Sequence, residues 1–377
     1  MIRQLSGLQA SAWDALTDGA DPFLRHAFLA GLEDHGCLVG HGWDPVHLLA
    51  YEHDVLVGAL PLYRRDNSYG EFVFDWNWAE AYTRAGGRYY PKLVTAVPFT
   101  PVTGPRLLVQ AEHPAAASIS AALVAGALAL AQRTGASSWH CLFPADVQLP
   151  AFEHPDLLLR EGCQYHWYNQ NYADFTEFLA GLTAKRRKEI RRERRDVAEL
   201  GLQIELLEGR AITPAHWAVF HRFYCDTFER KFGEPRLTLS FMQYLSAQTP
   251  PSTPVLLLAR AGEDYVAGAL ALRGTHTLYG RHWGCSGYFR NLHFEMCYYR
   301  FIEYSITHGL QHFDAGAQGE HKVARGFVPV KTWSVHWLRE PSFRQAVAEF
   351  LRRETLAIDH YVDTVAEHTA YRADIDG

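Results

Sequence analysis

The sequence predicts a mixed α/β fold, arranged as two tandem domains of similar element order and closed by a helix. Three observations lead there. The chain has 377 residues, more than one ordinary domain uses. Its 48% hydrophobic and 21% charged content is that of a globular protein able to fill two cores. Each half also runs through helices, a three-strand meander, a helix and a strand. The expected boundaries are 1–165, 166–345 with a basic helix at 183–200, and a helical tail over 346–377.

In the first half, LQASAWDAL and PFLRHAFLAGLEDHG have helical spacing, the second with Pro22 near its start. VHLLAYEHDVLVGALPLYRRDNSYGEFVF reads as a strand, a turn at Glu52–Asp54, a strand, a turn at Asp66–Gly70 and a third strand. After a long aromatic stretch comes an Ala-rich helix from about His113 to Arg133. Its apolar run, Ala115–Ala131, is 17 residues and holds two serines. A spanning helix needs about 20 strongly apolar residues, so a core helix and no membrane span are expected. SSWHCLF and CQYHWYNQNY read as strands.

In the second half, DFTEFLAGLTAKRRKEIRRERRDVAELG reads as one or two helices stopped by Gly201. LQIELLEG is a strand. TPAHWAVFHRFYCDTFERKFG carries Thr213 as N-cap, Pro214 in the first turn and Gly233 at its end, a strong helix pattern. The meander returns in TPVLLLARAGEDYVAGALALRGTHTLYGRHWG, with turns at Gly262–Asp264 and Gly274–Thr275. LHFEMCYYRFIEYSITHGL is a helix, HFDAGA and TWSVHWL are strands, and a charged helix covers roughly Pro341 to Thr369.

Composition narrows the function. The net charge of −6 makes the whole surface repel nucleic acid, so any such binding needs a local patch. The six cysteines form no C-x-x-C pair, which points to free thiols in a reducing cytoplasm. The N-terminus MIRQLSGLQASAWDAL has no apolar h-region, so secretion is not expected.

Five segments carry candidate chemistry. RHWGCSGYFRN, Arg281 to Asn291, reads as a loop entering a helix, where free backbone N–H groups and the helix dipole favour an anion. Arg281, Gly284, Ser286 and Arg290 are its expected cofactor-binding residues. In the helix that follows, His293 and Glu295 resemble a deaminase H-x-E, but the P-C-x-x-C partner is absent. No metal is expected, and the pair is assigned to substrate binding. KRRKEIRRERR, Lys185 to Arg195, has eight basic residues in eleven. Arg187, Arg191 and Arg195 share one helix face, and local pairs with Glu189 and Glu193 are worth only about a few tenths of a kcal/mol each. A phosphate-rich substrate fits such a surface.

SYGEFVFDWNWAEAY sets Glu71 and Asp75 among large rings, Trp76 and Trp78 included. Carboxylates in such surroundings gain raised pKa values and general-base character, and the two indoles are candidate substrate contacts. FDAGAQGEHKVARGF gathers Gln318, Glu320, His321, Lys322 and Arg325 at a strand end among glycines that admit close backbone approach. Lys322 or Arg325 suits a developing negative charge, and Glu320 or His321 suits proton removal from an amine. Gln318 is placed with the substrate.

Read together, SYGEFVFDWNWAEAY, YYPKLVTAVPFTPVTGPRLL, KRRKEIRRER, LYGRHWG, LHFEMCYY and GAQGEHKVARGF resemble the Fem-like N-acyltransferases of peptidoglycan biosynthesis/recognition, from about Phe23 to Glu354. The resemblance implies two tandem GNAT domains of a bacterial enzyme. It implies transfer of an acyl or aminoacyl group to a small-molecule amine in a cleft between the halves. The co-substrate is then acyl-CoA or aminoacyl-tRNA, with no tightly bound cofactor. Arg281 to Ser286 only approximates the GNAT pyrophosphate loop [QR]-x-x-G-x-[GA], and Fem-type enzymes, which depart from it too, use aminoacyl-tRNA. Tyr298 or Tyr299 is then the expected proton donor to the leaving group. The alternative is a module that binds cell-wall precursor or RNA without chemistry.

Overall fold

The computed structural model describes residues 1–231, 233–247, 253–317 and 319–372. In chain order these form α1 (Ala10–Asp14), α2 (His26–Asp34), β1 (Trp43–Pro45), β2 (Leu48–Glu52), β3 (Val55–Leu60), β4 (Tyr63–Arg65), α3 (Trp76–Arg84), β5 (Lys92–Thr95), β6 (Leu108–Val109), α4 (Ala116–Arg133), β7 (Ser138–Leu142) and β8 (Leu157–Tyr168). There follow α5 (Phe175–Gly181), α6 (Ala184–Ala198), β9 (Gln203–Glu208), α7 (Pro214–Glu229), α8 (Leu239–Ala247), β10 (Thr253–Ala261), β11 (Asp264–Arg273) and β12 (Thr277–Cys285). The chain ends with α9 (Leu292–Phe294), a π turn (Glu295–Tyr299), α10 (Arg300–Thr307), β13 (His312–Asp314), a 3-10 turn (Glu320–Arg325), β14 (Val328–Leu338) and α11 (Pro341–Glu367). Contacts divide the chain into two compact units: Met1–Cys163 with Lys331–Tyr361, and Gln164–Val330 with the chain from Val362 onward.

In the first unit, β1, β4, β5, β7 and β14 are neighbours in that order. β5 and β7 run parallel, and the other pairs are antiparallel. β2 and β3 leave this sheet and form a separate antiparallel one with β6. The Ala-rich helix α4 covers that small sheet, placing Leu123, Val124, Ala127 and Leu130 in the core. Among the described residues it alone has the length and composition to cross a membrane, yet its larger apolar side chains pack as a core helix's do. The third strand expected after the Asp66–Gly70 turn, over Glu71–Phe74, does not form. The strand ends at Arg65, and Phe72 adopts φ 63°, a left-handed conformation that breaks a ladder.

The second unit follows its sequence signals closely. β10, β11 and β12 make the expected meander, flanked by β9 on one side and by β13 and β8 on the other. β12 and β13 are parallel, and the helical segment Leu292–Thr307 crosses between them. α7 begins in a full capping box: the Thr213 side chain accepts from the His216 amide, and the His216 ring accepts from the Thr213 amide. The basic stretch is one helix, α6, which buries only Ile190 and Val197. Arg281 to Cys285, expected in a loop, lie inside β12.

Candidate active site

The second unit's site grows out of a break in its sheet. β12 and β13 pair over Thr277–Tyr279 and His312–Asp314 and then part. Ligands of α/β sheets sit where neighbouring strands separate in this way. A cavity of about 120 Å³ opens at the break, lined by Gly280, Arg281 and Trp283 of β12, His293 and Tyr298 of the following helix, and Ala315. A β-bulge shapes its wall. The β11 register jumps from Leu270↔His282 to Ala271↔Gly280, which leaves Arg281 as the extra residue. Bulges re-aim side chains beside active sites.

The helix over the cavity is interrupted by the π turn. Such single turns inside a helix are frequent at functional sites. Here it carries Tyr298 and Tyr299. Tyr298 Oη stands 2.8 Å from His321 Nε2. Burial, and then Cys297, push the Tyr298 phenol well above its ordinary pKa, so it stays protonated. Burial, then Arg325 and Lys322, lower the His321 imidazole, so it is neutral near pH 7. His293 packs edge-on to Tyr298 with ring centroids 5.4 Å apart. Burial, helped by His321 and Arg325, brings its pKa down to about 4.

Lys322 follows His321 on the 3-10 turn and is fully buried. Its ammonium donates to the Gly316 carbonyl. It makes no ion pair among the described residues. Burial lowers its pKa to about 8, against the pull of Asp314. An ammonium has three N–H donors, so two remain beyond the Gly316 bond. Glu320 opens the same turn and is exposed.

Arg325 takes a different part from the charge-neutralising one expected. Its Nε donates to Tyr299 Oη at 3.0 Å, Nη1 to the His321 carbonyl at 2.7 Å and Nη2 to Glu193 Oε1 at 2.8 Å. Its guanidinium lies 3.5 Å from the Phe294 ring centroid. Tyr299 in turn donates to Glu193. So Tyr299 and Arg325 hold the turn, while Tyr298, which lines the cavity, faces the more exposed His321.

Several other expected contacts have structural work instead. A Cβ on Gly284 would stand 2.2 Å from the Phe223 carbonyl oxygen, so this glycine lets α7 pack on β12. The Ser286 amide donates to the Val266 carbonyl at 2.8 Å, which leaves it unavailable to an anion. Glu295 receives Arg194 and Arg300 at 3.1 and 2.9 Å. Arg290 faces Asp196. Arg187 donates to the Leu182 carbonyl at 3.0 Å. Arg191 is exposed, as are Lys185, Lys188, Arg192 and Arg195, and none of these five makes an ion pair among the described residues. Gln318 lies outside the described residues.

The first unit holds a second polar centre. Lys92 donates to Ser68 at 2.7 Å, Glu71 at 2.8 Å and Asp75 at 2.5 Å. Arg65 donates to Glu71 at 3.1 Å and Tyr89 to Asp75 at 2.7 Å. His140 lies 3.7 Å from Asp75 and touches His336, Nδ1 to Nδ1, at 2.6 Å. Burial alone would raise the Asp75 carboxyl, but Lys92 and then His140 draw it well below the usual carboxylate range. Burial outweighs Lys92 at Glu71 and raises it. Both acids are closed off from solvent and held by cations, so the general-base role expected of Glu71 and Asp75 finds no approach for an amine. Trp78 is only 5% exposed and packs edge-on to His336, which removes it from substrate contact. Trp76 remains 47% exposed, beside Phe74 and Tyr69.

Glu193, expected only in local helix pairs, and Lys92, given no expected role, both hold these centres together. Each had a signal. Glu193 is one of two acids inside the basic run Lys185–Arg195, and Lys92 is a lone charge in the apolar run PKLVTAV. A charge inside a buried strand is rarely unpaired.

The architecture is that of Fem-type folds. FemX superposes with a TM-score of 0.55 at 11% identity, covering 92% of this chain and 99% of FemX. L-PGS from Bacillus licheniformis gives a TM-score of 0.52 at 11% identity, covering 88% of this chain and 98% of that one. No curated protein matches the sequence significantly. Residues 4–373 match the FemAB-like family of peptidoglycan biosynthesis/recognition. The chain belongs to that family and is an acyl- or aminoacyl-transferase.

Proposed function

We propose that the enzyme transfers a small acyl or aminoacyl group from an ester or thioester to a primary amine, at Tyr298, His321 and Lys322 of the second unit. The observation that carries this reading is the 2.8 Å Tyr298–His321 contact. It joins a phenol held protonated, on a tyrosine that lines the cavity at the strand break, to an imidazole held neutral. A cavity of 150 Å³ accepts benzene, so about 120 Å³ suits a group of a few heavy atoms.

The proton path balances as follows. The amine attacks the carbonyl carbon and forms the new C–N bond. Its proton passes to His321 Nδ1. The Nε2 proton moves to Tyr298 Oη, and the Tyr298 hydroxyl proton goes to the departing oxygen or sulfur as the C–O or C–S bond breaks. Lys322 stabilises the intervening oxyanion with the N–H groups not bonded to Gly316. Preorganised donors of this kind act most strongly where water is excluded.

Aminoacyl-tRNA is the donor the surface favours. Lys185, Lys188, Arg191, Arg192 and Arg195 project from α6 without ion pairs among the described residues, a local cationic strip on a chain of net charge −6. Such a strip binds a polyanion with strong salt dependence. The test is to incubate the protein with charged tRNAs, short acyl-CoAs and amine acceptors, peptidoglycan-precursor peptides included, and to look for the amide by mass spectrometry. Amide from charged tRNA supports the reading. Saturable binding with no amide from any donor returns the protein to the binding-module alternative.

A further inference from the structure

We infer that Glu193 is a positioning residue for the transfer reaction, tying the cationic helix α6 to the turn that carries His321 and Lys322. The inference rests on the site proposed above.

Glu193 is the acid that sequence alone pairs with neighbouring bases on its own helix. It does something else. One carboxylate oxygen accepts from Arg325 Nη2 at 2.8 Å, and the other accepts from the Tyr299 hydroxyl. Arg325 Nε closes the triangle on Tyr299 at 3.0 Å. The guanidinium's third bond, at 2.7 Å, goes to the backbone carbonyl of His321. The chain of contacts thus runs from α6, through one carboxylate and one guanidinium, to the backbone of the proposed proton carrier. Phe294 fixes the face of the guanidinium at 3.5 Å, and Tyr299 is fully buried. Arg325 and Glu193 are also largely shielded, with side chains 9% and 14% exposed. Charge-assisted bonds in such surroundings are strong and directional.

The geometry gives the brace a purpose. The 3-10 turn Glu320–Arg325 sits between Gly319 at φ 115° and Gly326 at φ 88°, two hinges that set little resistance to rotation. A turn between two such glycines keeps its orientation through side-chain ties. Glu193 supplies the anchor outside the turn, and it does so from the helix whose opposite side offers the exposed cations. A polyanionic donor seated on those cations therefore rests on the same rigid element that orients His321.

The inference is tested with the full-length protein and whichever donor proves active in the assay above. Glu193→Ala removes both arms, Glu193→Gln keeps one acceptor and loses the charge, and Tyr299→Phe removes one arm. The expected result for Glu193→Ala is about a hundredfold lower kcat, the scale of a displaced catalytic group, with the KM for the donor unchanged. Glu193→Gln falls between it and wild type. In the folded Glu193→Ala protein the His321 ring signals shift in nitrogen-resolved NMR, showing a changed Tyr298 contact. Wild-type kcat in Glu193→Ala, or unmoved His321 signals, overturns the inference. The outcome is separable from failure of the site itself. If His321→Ala abolishes transfer while Glu193→Ala does not, only the positioning role falls. If His321→Ala retains full activity, the site falls first.

Discussion

Each unit buries a lysine within a polar cluster, and the two lysines are neutralised differently. In the first unit, Lys92 meets two carboxylates and a hydroxyl, and Arg65 shares one of the acids. Burial alone would lower the Lys92 pKa, but Glu71 and Asp75 hold it up. In the second, Lys322 meets a carbonyl oxygen, and burial leaves its pKa at about 8. A buried charge with full partners cements a fold. A buried charge left short of partners keeps electrostatic capacity for a substrate. The same residue type, buried to the same degree, thus has opposite assignments, and the partners decide between them.

Four substitutions or conditions test that contrast, from the largest expected effect down. Lys92→Met leaves Glu71 and Asp75 facing each other with one fewer cation, and should cost about 3–5 kcal/mol of stability. The urea midpoint reads it, and adding Asp75→Asn should recover part of the loss. A midpoint like wild type's would mean that the first-unit centre is not structural.

Lys322→Ala should lower turnover roughly a hundred- to thousandfold, about 2.7–4 kcal/mol in barrier. Its urea midpoint should stay near or above wild type's, because the cation it removes is buried without an ion pair. Loss of folding with no separate loss of turnover would make the two lysines alike.

The pH response of Lys322 has a definite sign. Its folded pKa, about 8, lies below the model-compound value of 10.5. As pH rises from about 8 towards 10.5, the unfolded chain keeps a proton that the folded chain has released, so stability contributed by this group rises over that window. Turnover should fall over the same window as the ammonium is lost. Opposite movement of stability and rate with pH marks Lys322, and stopped-flow rates with parallel urea titrations at each pH read both. Parallel movement would assign the limb to another group.

Thr213→Ala removes the α7 cap and should cost only about 1 kcal/mol, read by thermal unfolding, with turnover unchanged. It sets the scale of an ordinary structural contact against the two lysines.

What the sequence made legible follows physical lines. β10 to β12 were readable because apolar runs alternate with glycine turns at Gly262 and Gly274. α7 was readable because Thr213 and Pro214 state their own geometry. Glu71–Phe74 misleads because the rings and acids around it alternate as in a strand. The alternation is real but inverted: Tyr69, Phe74 and Trp76 are exposed, while Glu71 and Asp75 are buried. Arg65, six residues before Glu71, and Lys92, hidden in an apolar run, supply the cations that draw these acids inward. His321 and Lys322 were visible as chemistry. That Tyr298 faces His321 while Tyr299 turns to Glu193 was not, because the π turn that separates their directions has no periodic signature.

The central claim is that transfer runs through His321 and Tyr298 in the second unit. Single-turnover transfer from a preloaded donor by His321→Ala tests it most directly, with folding checked by the thermal midpoint. The account predicts a rate about 10²–10⁴-fold below wild type, the usual contribution of a general acid–base group, in a protein that melts as wild type does. A His321→Ala rate equal to wild type's would contradict it.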